Sequence, residues 1–113
     1  MQRFLPQLIL LAILASCAAD PGSIGAVLAQ SRHDGRVTLR DVPRGYPAAE
    51  AGMTPDDEIL LIDGRDVRSM SPEAIHRLLE GEVGTTVNLT LLRHGKIERV
   101  TIKRAPLARS ALR

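Results

Sequence analysis

Two segments with alternating apolar and polar residues, each folded back on itself at a glycine-containing turn, constrain the fold of this chain most strongly. The first spans residues 25–42 around a turn that ends at Gly35, and the second spans residues 86–103 around a turn that ends at Gly95. A period of two places one row of side chains on each face of a strand. Two such runs joined by a glycine turn are typical of a β-hairpin. The sequence therefore predicts two hairpins and a mainly β fold.

One main helix and one short helix complete the predicted elements. Ser71 is typical of a helix N-cap, Pro72 suits the first helical position, and apolar residues then follow one stripe to Leu79. Residues 47–51 predict a shorter helix, and residues 58–62 are apolar on both faces, which is typical of a central strand. These elements predict an α+β fold that is mainly β, a small, partly open β-barrel or sandwich capped by the two helices. Such a sheet can leave a gap between an edge strand and the helix, where an extended peptide can add itself.

The composition argues against nucleic-acid binding, metal binding and catalysis. The formal net charge is only +2, basic and acidic residues are interleaved, and one Tyr and one Phe are too few to stack on bases. The single cysteine, Cys17, cannot form an intrachain disulfide, and His33 and His94 lie in predicted turns without metal-ligand spacing. Because no nucleophile has both a base and an orienting partner, we expect no enzyme activity, metal or cofactor.

The beginning of the chain has the pattern of an export signal. Arg3 is the only charged residue before Asp20, and residues 8–19 are apolar except for Ser16. That run is too short to span a bilayer, which takes about 20 residues. A short basic start, a short apolar run and then small residues are typical of a secretory signal. We therefore expect the chain to be exported.

Residues 14–17, Leu-Ala-Ser-Cys, resemble the lipobox of bacterial lipoproteins. The resemblance implies a lipoprotein signal peptide over residues 1–16, lipidation of Cys17, and a tether over residues 17–22. Acyl chains anchor a protein to a membrane surface without spanning it, here on the side that faces the periplasm or the cell exterior. Asp after the cysteine favours inner-membrane retention in that family, so Ala18 favours the outer membrane. Cleavage after Ala19, without a lipid, is the alternative.

The central part of the chain resembles bacterial PDZ domains. Residues 47–53 (Pro-Ala-Ala-Glu-Ala-Gly-Met), the acidic pair Asp56-Asp57 and residues 59–64 (Ile-Leu-Leu-Ile-Asp-Gly) are similar to the central signature of that family. The resemblance continues through the main helix and the second hairpin. Domains of this kind occur in carboxy-terminal processing proteases and in high-temperature-requirement serine proteases.

The resemblance implies that the chain binds peptides. In the family an extended ligand lies as an added strand between the first long strand and the main helix, and backbone N–H groups of a glycine-containing loop hold its terminal carboxylate. Here that loop corresponds to residues 23–26 and the domain to residues 23–105, followed by a basic flexible tail over residues 106–113. By position on the helix, Ser71, Ile75 and Leu78 are expected to face the groove, with Leu79 near its floor. The implied peptide-binding residues are Ser23, Ile24, Gly25, Ala26, Val27, Leu28, Ser71, Ile75, Leu78 and Leu79.

The type of ligand and the role of the chain stay open at this point. Relatives often carry a basic residue before the loop that helps to hold the carboxylate, whereas residues 20–22 are Asp-Pro-Gly. The ligand is thus a C-terminal or an internal segment of a protein, an envelope protease or its substrate being one candidate. The expected function is a non-catalytic, membrane-tethered peptide- or protein-binding adaptor of the cell envelope. The alternatives are a structural or accessory subunit of an envelope or secretion complex with a vestigial groove, or the PDZ part of a protease whose catalytic domain is separate.

Overall fold

Strands alternate with two short helical segments along the part of the chain that the structure, a computed structural model, describes, which is residues 21–106. The predicted signal peptide, Cys17 and residues 107–113 of the predicted tail lie outside the described residues. The elements, in chain order, are β1 (Pro21–Gly22), β2 (Val27–Gln30), β3 (Val37–Asp41), α1 (Pro47–Glu50), β4 (Glu58–Ile62), β5 (Arg65–Asp66), a single 3-10 turn (Val67–Ser69), α2 (Pro72–Leu79), β6 (Gly81–Glu82), β7 (Thr86–Arg93) and β8 (Lys96–Lys103).

The main sheet has the strand order β2-β3-β4-β7-β8. The two-residue strand β5 is its sixth member and pairs with β4 outside this order. All of these pairings are antiparallel. The two predicted hairpins are β2–β3 and β7–β8, and β4 is central because strands pair with both of its edges. Since β2 and β8 are edges, the sheet stays open, which confirms the predicted mainly β fold with two helical caps.

The core lies between one face of this sheet and the helices. Along β7, every second side chain is buried, and β4 has no exposed residue. The helix α2 buries two side chains and α1 buries one. The fully buried large side chains are Ile24, Leu39, Ile59, Ile62, Leu89, Leu91, Ile102, Val37, Val67 and Val87.

The ends of α2 follow the sequence signals. The hydroxyl of Ser71 accepts a hydrogen bond from the Ala74 N–H at 3.1 Å, and Pro72 occupies the first turn, where its missing N–H costs nothing. Since the cap and the proline define the start of the helix, they also set which side chains of α2 face the sheet.

A buried ion pair joins the turn before β4 to the end of β7. Asp57 is 3% exposed, and Arg93 donates to its carboxylate through Nη2 at 2.7 Å and through Nε at 3.1 Å. The Thr54 N–H donates to the same carboxylate at 3.0 Å. Burial raises the pKa of Asp57, but the hydrogen bonds from Arg93 and Thr54 outweigh it and hold the pKa below the ordinary value.

The folded domain begins earlier than predicted. Residues Pro21 and Gly22 were expected in a tether, but they form β1, which pairs with Glu82 and Gly81 of β6. The backbones approach so closely that a Cβ on Gly22 would lie 3.1 Å from the Gly81 carbonyl oxygen. The facing glycines Gly22 and Gly81 permit this approach. A strand of two residues is too short to show a periodic sequence pattern, so the sequence does not predict β1.

No helix within residues 21–106 has the length and hydropathy needed to cross a bilayer.

Candidate functional site

A cleft of about 360 Å³ separates the edge strand β2 from the helix α2. On its other side β2 pairs with β3, whereas no strand of the described residues pairs with the edge that faces the cleft. The residues that line the cleft are Ser23, Ile24, Ala26, Val27, Leu28, Gln30, Val37, Pro72, Ile75, His76, Leu79 and Glu80.

The strand β2 and the helix α2 run in opposite directions along the cleft. The side chain of Gln30, the last residue of β2, donates through Nε2 to the carbonyl oxygen of Met70 at 3.0 Å. Met70 lies just before the start of α2. The end of β2 is therefore tied to the beginning of α2, and the loop of residues 23–26 lies at the opposite end of the cleft, beside Leu79 and Glu80.

The loop of residues 23–26 is fixed at its start by backbone hydrogen bonds. The Ser23 N–H donates to the Ala105 carbonyl at 3.0 Å, and the Ala105 N–H donates back to Ser23 at 3.1 Å. The Ile24 carbonyl accepts from the Ala48 N–H at 2.9 Å, and the Ile24 side chain is 1% exposed. The loop is thus hydrogen-bonded both to the segment that follows β8 and to α1.

Gly25 gives the loop its turn. Its φ of 73° lies in the left-handed region, and a Cβ at this position would lie 2.3 Å from the Cβ of Tyr46. Only glycine fits both the backbone angle and the space. A left-handed residue in a short loop is the geometry in which successive N–H groups form a concave anion-binding surface. The Gly25 N–H itself donates to the Ser23 hydroxyl at 3.3 Å.

Seven of the ten predicted site residues line the cleft, and three do not. Gly25 has no side chain to line the cleft, and its Cα lies against Tyr46. The Ser71 hydroxyl is used as the helix cap. Leu78 was predicted to face the groove, but it is half-buried and is not part of the cleft wall.

The difference at Leu78 is one of register on the helix. The side chains of α2 that line the cleft are Pro72, Ile75, His76 and Leu79, which follow the i, i+3, i+4, i+7 spacing of a single helical face. Leu78 is about 100° away from Leu79 around the axis. Because both residues are leucines, the apolar stripe alone did not distinguish them.

The cleft combines apolar walls with a polar rim that the sequence did not indicate. Val27 is 49% exposed, which leaves an apolar side chain open to solvent in the cleft. On the rim, the Nε2 of His76 lies 2.8 Å from a carboxylate oxygen of Glu80. The i, i+4 spacing of these two residues is visible in the sequence, but their position on the cleft depended on the helix register. No group of three metal-ligating side chains occurs in residues 21–106.

An open sheet edge facing a helix across an apolar cleft is typical of domains that bind a peptide as an added strand. The sequence model of the PDZ domain matches residues 22–103, and the chain therefore belongs to the PDZ domain family.

The curated relatives that match the chain include proteases of the carboxy-terminal processing type. The chain is 36% identical over 62 residues to the carboxy-terminal processing protease CtpA of Bacillus subtilis, a match that covers 55% of this chain and 13% of that protein. It is 30% identical over 87 residues to a protein of Staphylococcus saprophyticus named Probable CtpA-like serine protease, covering 77% of this chain and 17% of that one. The match thus spans less than a fifth of the length of these relatives.

Solved structures with the same fold include a PDZ domain with a bound peptide. The PDZ domain of a carboxy-terminal protease from Vibrio cholerae, in complex with peptide, has a TM-score of 0.67 and 28% identity, and the match covers 77% of this chain and 96% of that one. The photosystem II D1 C-terminal processing protease has a TM-score of 0.72 and 26% identity, covering 94% of this chain and 28% of that one. The region described here therefore corresponds to the PDZ part of such proteases, which is distinct from their catalytic part.

Proposed function

We propose that this chain is a non-catalytic, lipid-anchored adaptor of the cell envelope that binds an extended peptide by strand addition in the cleft between β2 and α2. The observation that carries the proposal is the unpaired edge of β2, which faces the cleft within the described residues. The Vibrio cholerae domain, which has the same fold and forms a complex with peptide, supports peptide binding by this chain.

Strand addition accounts for both the backbone and the side chains of the cleft. An unpaired strand edge offers a row of N–H and C=O groups that a peptide backbone can satisfy. The four residues of β2 present an edge of about 13 Å at roughly 3.3 Å per residue, which fits about four residues of a ligand. Alternate ligand side chains would point towards the apolar surface of Ile75 and Leu79 in α2.

The structure of the loop of residues 23–26 supports the proposal that one end of the ligand binds there. The loop is held by two backbone hydrogen bonds to Ala105, and Gly25 gives it the left-handed turn that N–H concavities require. The proposed role of residues 23–26 is to receive the end of the ligand, and the proposed role of Val27 and Leu28 is to pair with it.

The lipid anchor would keep the cleft close to a membrane. If Cys17 carries acyl chains, only three residues lie between it and Pro21, which already belongs to the fold, so the two Cα atoms are four steps of the chain apart. An extended chain of that length reaches about 14 Å. The proposed ligand is therefore a protein segment that reaches the membrane surface, and an envelope protease or its substrate fits this description.

A second candidate function is favoured by the relatives. Since the proteins that the chain matches include proteases of which it spans less than a fifth, the chain can serve as the PDZ part of a protease whose catalytic domain is separate. Both candidates use the same cleft. They differ in whether the captured peptide is cleaved when a candidate protease partner is added.

The decisive experiment is the binding of fluorescent peptides to the full chain in detergent, with each peptide made as the free acid and as the C-terminal amide. We expect peptides with apolar residues at their ends to bind. The variant Val27→Arg should weaken binding roughly tenfold or more, since a loss of about 1.4 kcal/mol already gives that factor. The charged side chain replaces an apolar surface in the cleft and must be desolvated when a peptide packs on it.

A matched variant controls for the surface charge. Val83 is 40% exposed, as Val27 is 49% exposed, but it lies outside the cleft. Val83→Arg should leave peptide binding unchanged. If no peptide binds to the folded protein, or if both variants bind as the unmodified chain does, the cleft is not the binding site and a role as a structural subunit takes its place.

A further inference from the structure

Arg104 is a buried arginine behind the end of the cleft where α2 stops. It is 8% exposed, and its guanidinium donates through Nε to the Leu79 carbonyl at 3.0 Å and through Nη2 to the Leu78 carbonyl at 2.8 Å. Nη1 donates to the Thr85 hydroxyl at 2.9 Å and to the Thr86 carbonyl at 3.1 Å. All of these acceptors are electrically neutral.

The positive charge of Arg104 is not balanced by a carboxylate among the described residues. The ion pairs found within residues 21–106 involve Arg36, Arg68 and Arg93, and none involves Arg104. A buried charge is costly unless it is paired or well hydrogen-bonded. Arg104 meets that requirement with carbonyl and hydroxyl groups alone, so no carboxylate of the described residues neutralises its charge.

Arg104 lies between the two walls of this end of the cleft. Its neighbour Ala105 forms the two hydrogen bonds to Ser23, and a Cβ on Gly22 would lie 3.2 Å from the Cβ of Arg104. On the other side, its Nε is bonded to Leu79. Ser23 and Leu79 both line the cleft, so the guanidinium lies directly behind the place where the loop meets the helix end.

The C-terminus of a helix is an unfavourable neighbour for an anion. Its unsatisfied carbonyl groups carry a partial negative charge equivalent to about half an electron. A peptide carboxylate at the loop of residues 23–26 would approach this negative end. Arg104 donates to the Leu78 and Leu79 carbonyls, so it both satisfies them and reverses the sign of the local charge.

We propose that Arg104 supplies the positive charge that makes the loop of residues 23–26 select the free C-terminal carboxylate of a peptide. The inference rests on the proposed peptide binding and makes it specific, since it assigns the ligand to C-terminal rather than internal segments. Arg104 thereby takes the place of the basic residue that is missing before the loop. It acts at a distance, as a positioning charge, and does not touch the ligand.

Glu80 is the acidic side chain at the same end of the cleft. Its side chain is 47% exposed and its carboxylate lies 2.8 Å from His76. Water and salt screen the charge of an exposed group much more than that of a buried group. The buried charge of Arg104 therefore dominates at the loop.

The test uses fluorescent hexapeptides ending in Val, Leu, Ala or Phe, each as the free acid and as the C-terminal amide, bound to the full chain in detergent. Thr85 is exposed and its hydroxyl contacts Arg104, so Thr85→Glu places a carboxylate against the guanidinium without removing it. We expect this variant to weaken binding of the acids roughly four- to sixteenfold, the effect of one unit charge acting over about 10 Å at an effective dielectric constant of about 40 down to 20. Binding of the amides should stay the same.

Two control variants isolate the effect on Arg104. Thr85→Gln changes the side chain without adding a charge, and Thr86→Glu adds the same charge to a neighbouring exposed side chain that does not contact the guanidinium. Neither should change the ratio of acid to amide affinity. If Thr85→Glu also leaves this ratio unchanged in a folded protein, Arg104 does not determine the selectivity and the inference is overturned.

A second measurement needs no variant. Because Arg104 is buried, the preference of the unmodified chain for acids should persist at high salt, whereas a preference that disappears there would come from an exposed charge and would overturn the inference. Peptides that bind equally well as acids and amides would refute the role of Arg104 and leave the proposed peptide binding intact. A folded protein that binds neither form would refute both.

Discussion

The substitution Asp57→Asn tests how much of the stability of the domain depends on the buried pair of Asp57 and Arg93. Asp57 is 3% exposed and accepts hydrogen bonds at 2.7 and 3.1 Å from Arg93 and at 3.0 Å from Thr54. Asparagine keeps the shape but removes the charge, and its Nδ2 group, which only donates, cannot accept from Arg93 as the second carboxylate oxygen does. Breaking a buried pair on one side costs about 3 to 5 kcal/mol. Since Arg93 is 19% exposed and keeps Glu98 at 2.9 Å, we expect a loss of about 2 to 3 kcal/mol.

The assay is thermal and denaturant unfolding of the two proteins side by side, with Asp56→Asn as the control. Asp56 is exposed, makes no ion pair in the described residues, and has a φ of 81°, which asparagine tolerates. A loss of about 2 to 3 kcal/mol lowers the Tm of a domain of this size by roughly 10 to 20 °C. Asp56→Asn should stay within about 0.5 kcal/mol of the unmodified chain. Equal stability of the two variants would refute the reasoning.

The pH dependence gives a second check on the same pair. Despite burial, the hydrogen bonds from Arg93 and Thr54 hold the pKa of Asp57 in the folded protein below its ordinary value of about 3.8. The stabilisation from the ionised carboxylate is therefore fully present above the pKa of the unfolded chain, and it is lost as the pH falls through the lower folded pKa. The stability difference between the unmodified chain and Asp57→Asn should be constant from pH 7 to about 5 and shrink below about 3.8. A difference that does not shrink in acid would show that lost packing, and not lost charge, causes the effect.

Two further predictions concern the loop and the anchor. Gly25→Ala should destabilise the domain by about 2 to 4 kcal/mol and abolish peptide binding, because its Cβ would lie 2.3 Å from Tyr46 at a φ of 73°. The control Gly45→Ala, at a φ of 88° with open space around it, should cost only about 1 kcal/mol. Equal losses of unfolding free energy for the two variants would contradict the packing argument. If Cys17 carries the proposed lipid, Cys17→Ser should shift the protein from the membrane fraction to the soluble fraction of cells, because the proposed acyl anchor would be lost. Undiminished membrane retention in immunoblots of the two fractions would reject lipidation.

The parts of the fold that the sequence predicted are those that depend on neighbouring residues. The alternation along β7, the cap at Ser71 and the glycine turns are local, and each is found in the structure where the pattern placed it. The edge position of β2 was implied instead by the resemblance to PDZ domains, in which the ligand pairs with the first long strand.

The parts that the sequence did not reveal depend on contacts between distant residues. Whether Leu78 or Leu79 faces the cleft is decided by how α2 lies on the sheet, and both residues have the same chemistry. Arg104 has the pattern of an ordinary basic residue after a strand. Arg104 is buried because the chain folds it against the end of α2, where its guanidinium donates to the Leu79 carbonyl. Leu79 is 25 residues away from Arg104 in sequence.

The paired hydrogen bonds between Ser23 and Ala105 also bear on how such a domain can be combined with others. An antiparallel bridge at this point means that the chain enters and leaves the domain side by side. A unit with adjoining ends can be placed within a longer polypeptide without forcing its host segments apart. The same bridge that holds the loop in place would therefore allow a domain of this kind to be inserted into the interior of a larger protein.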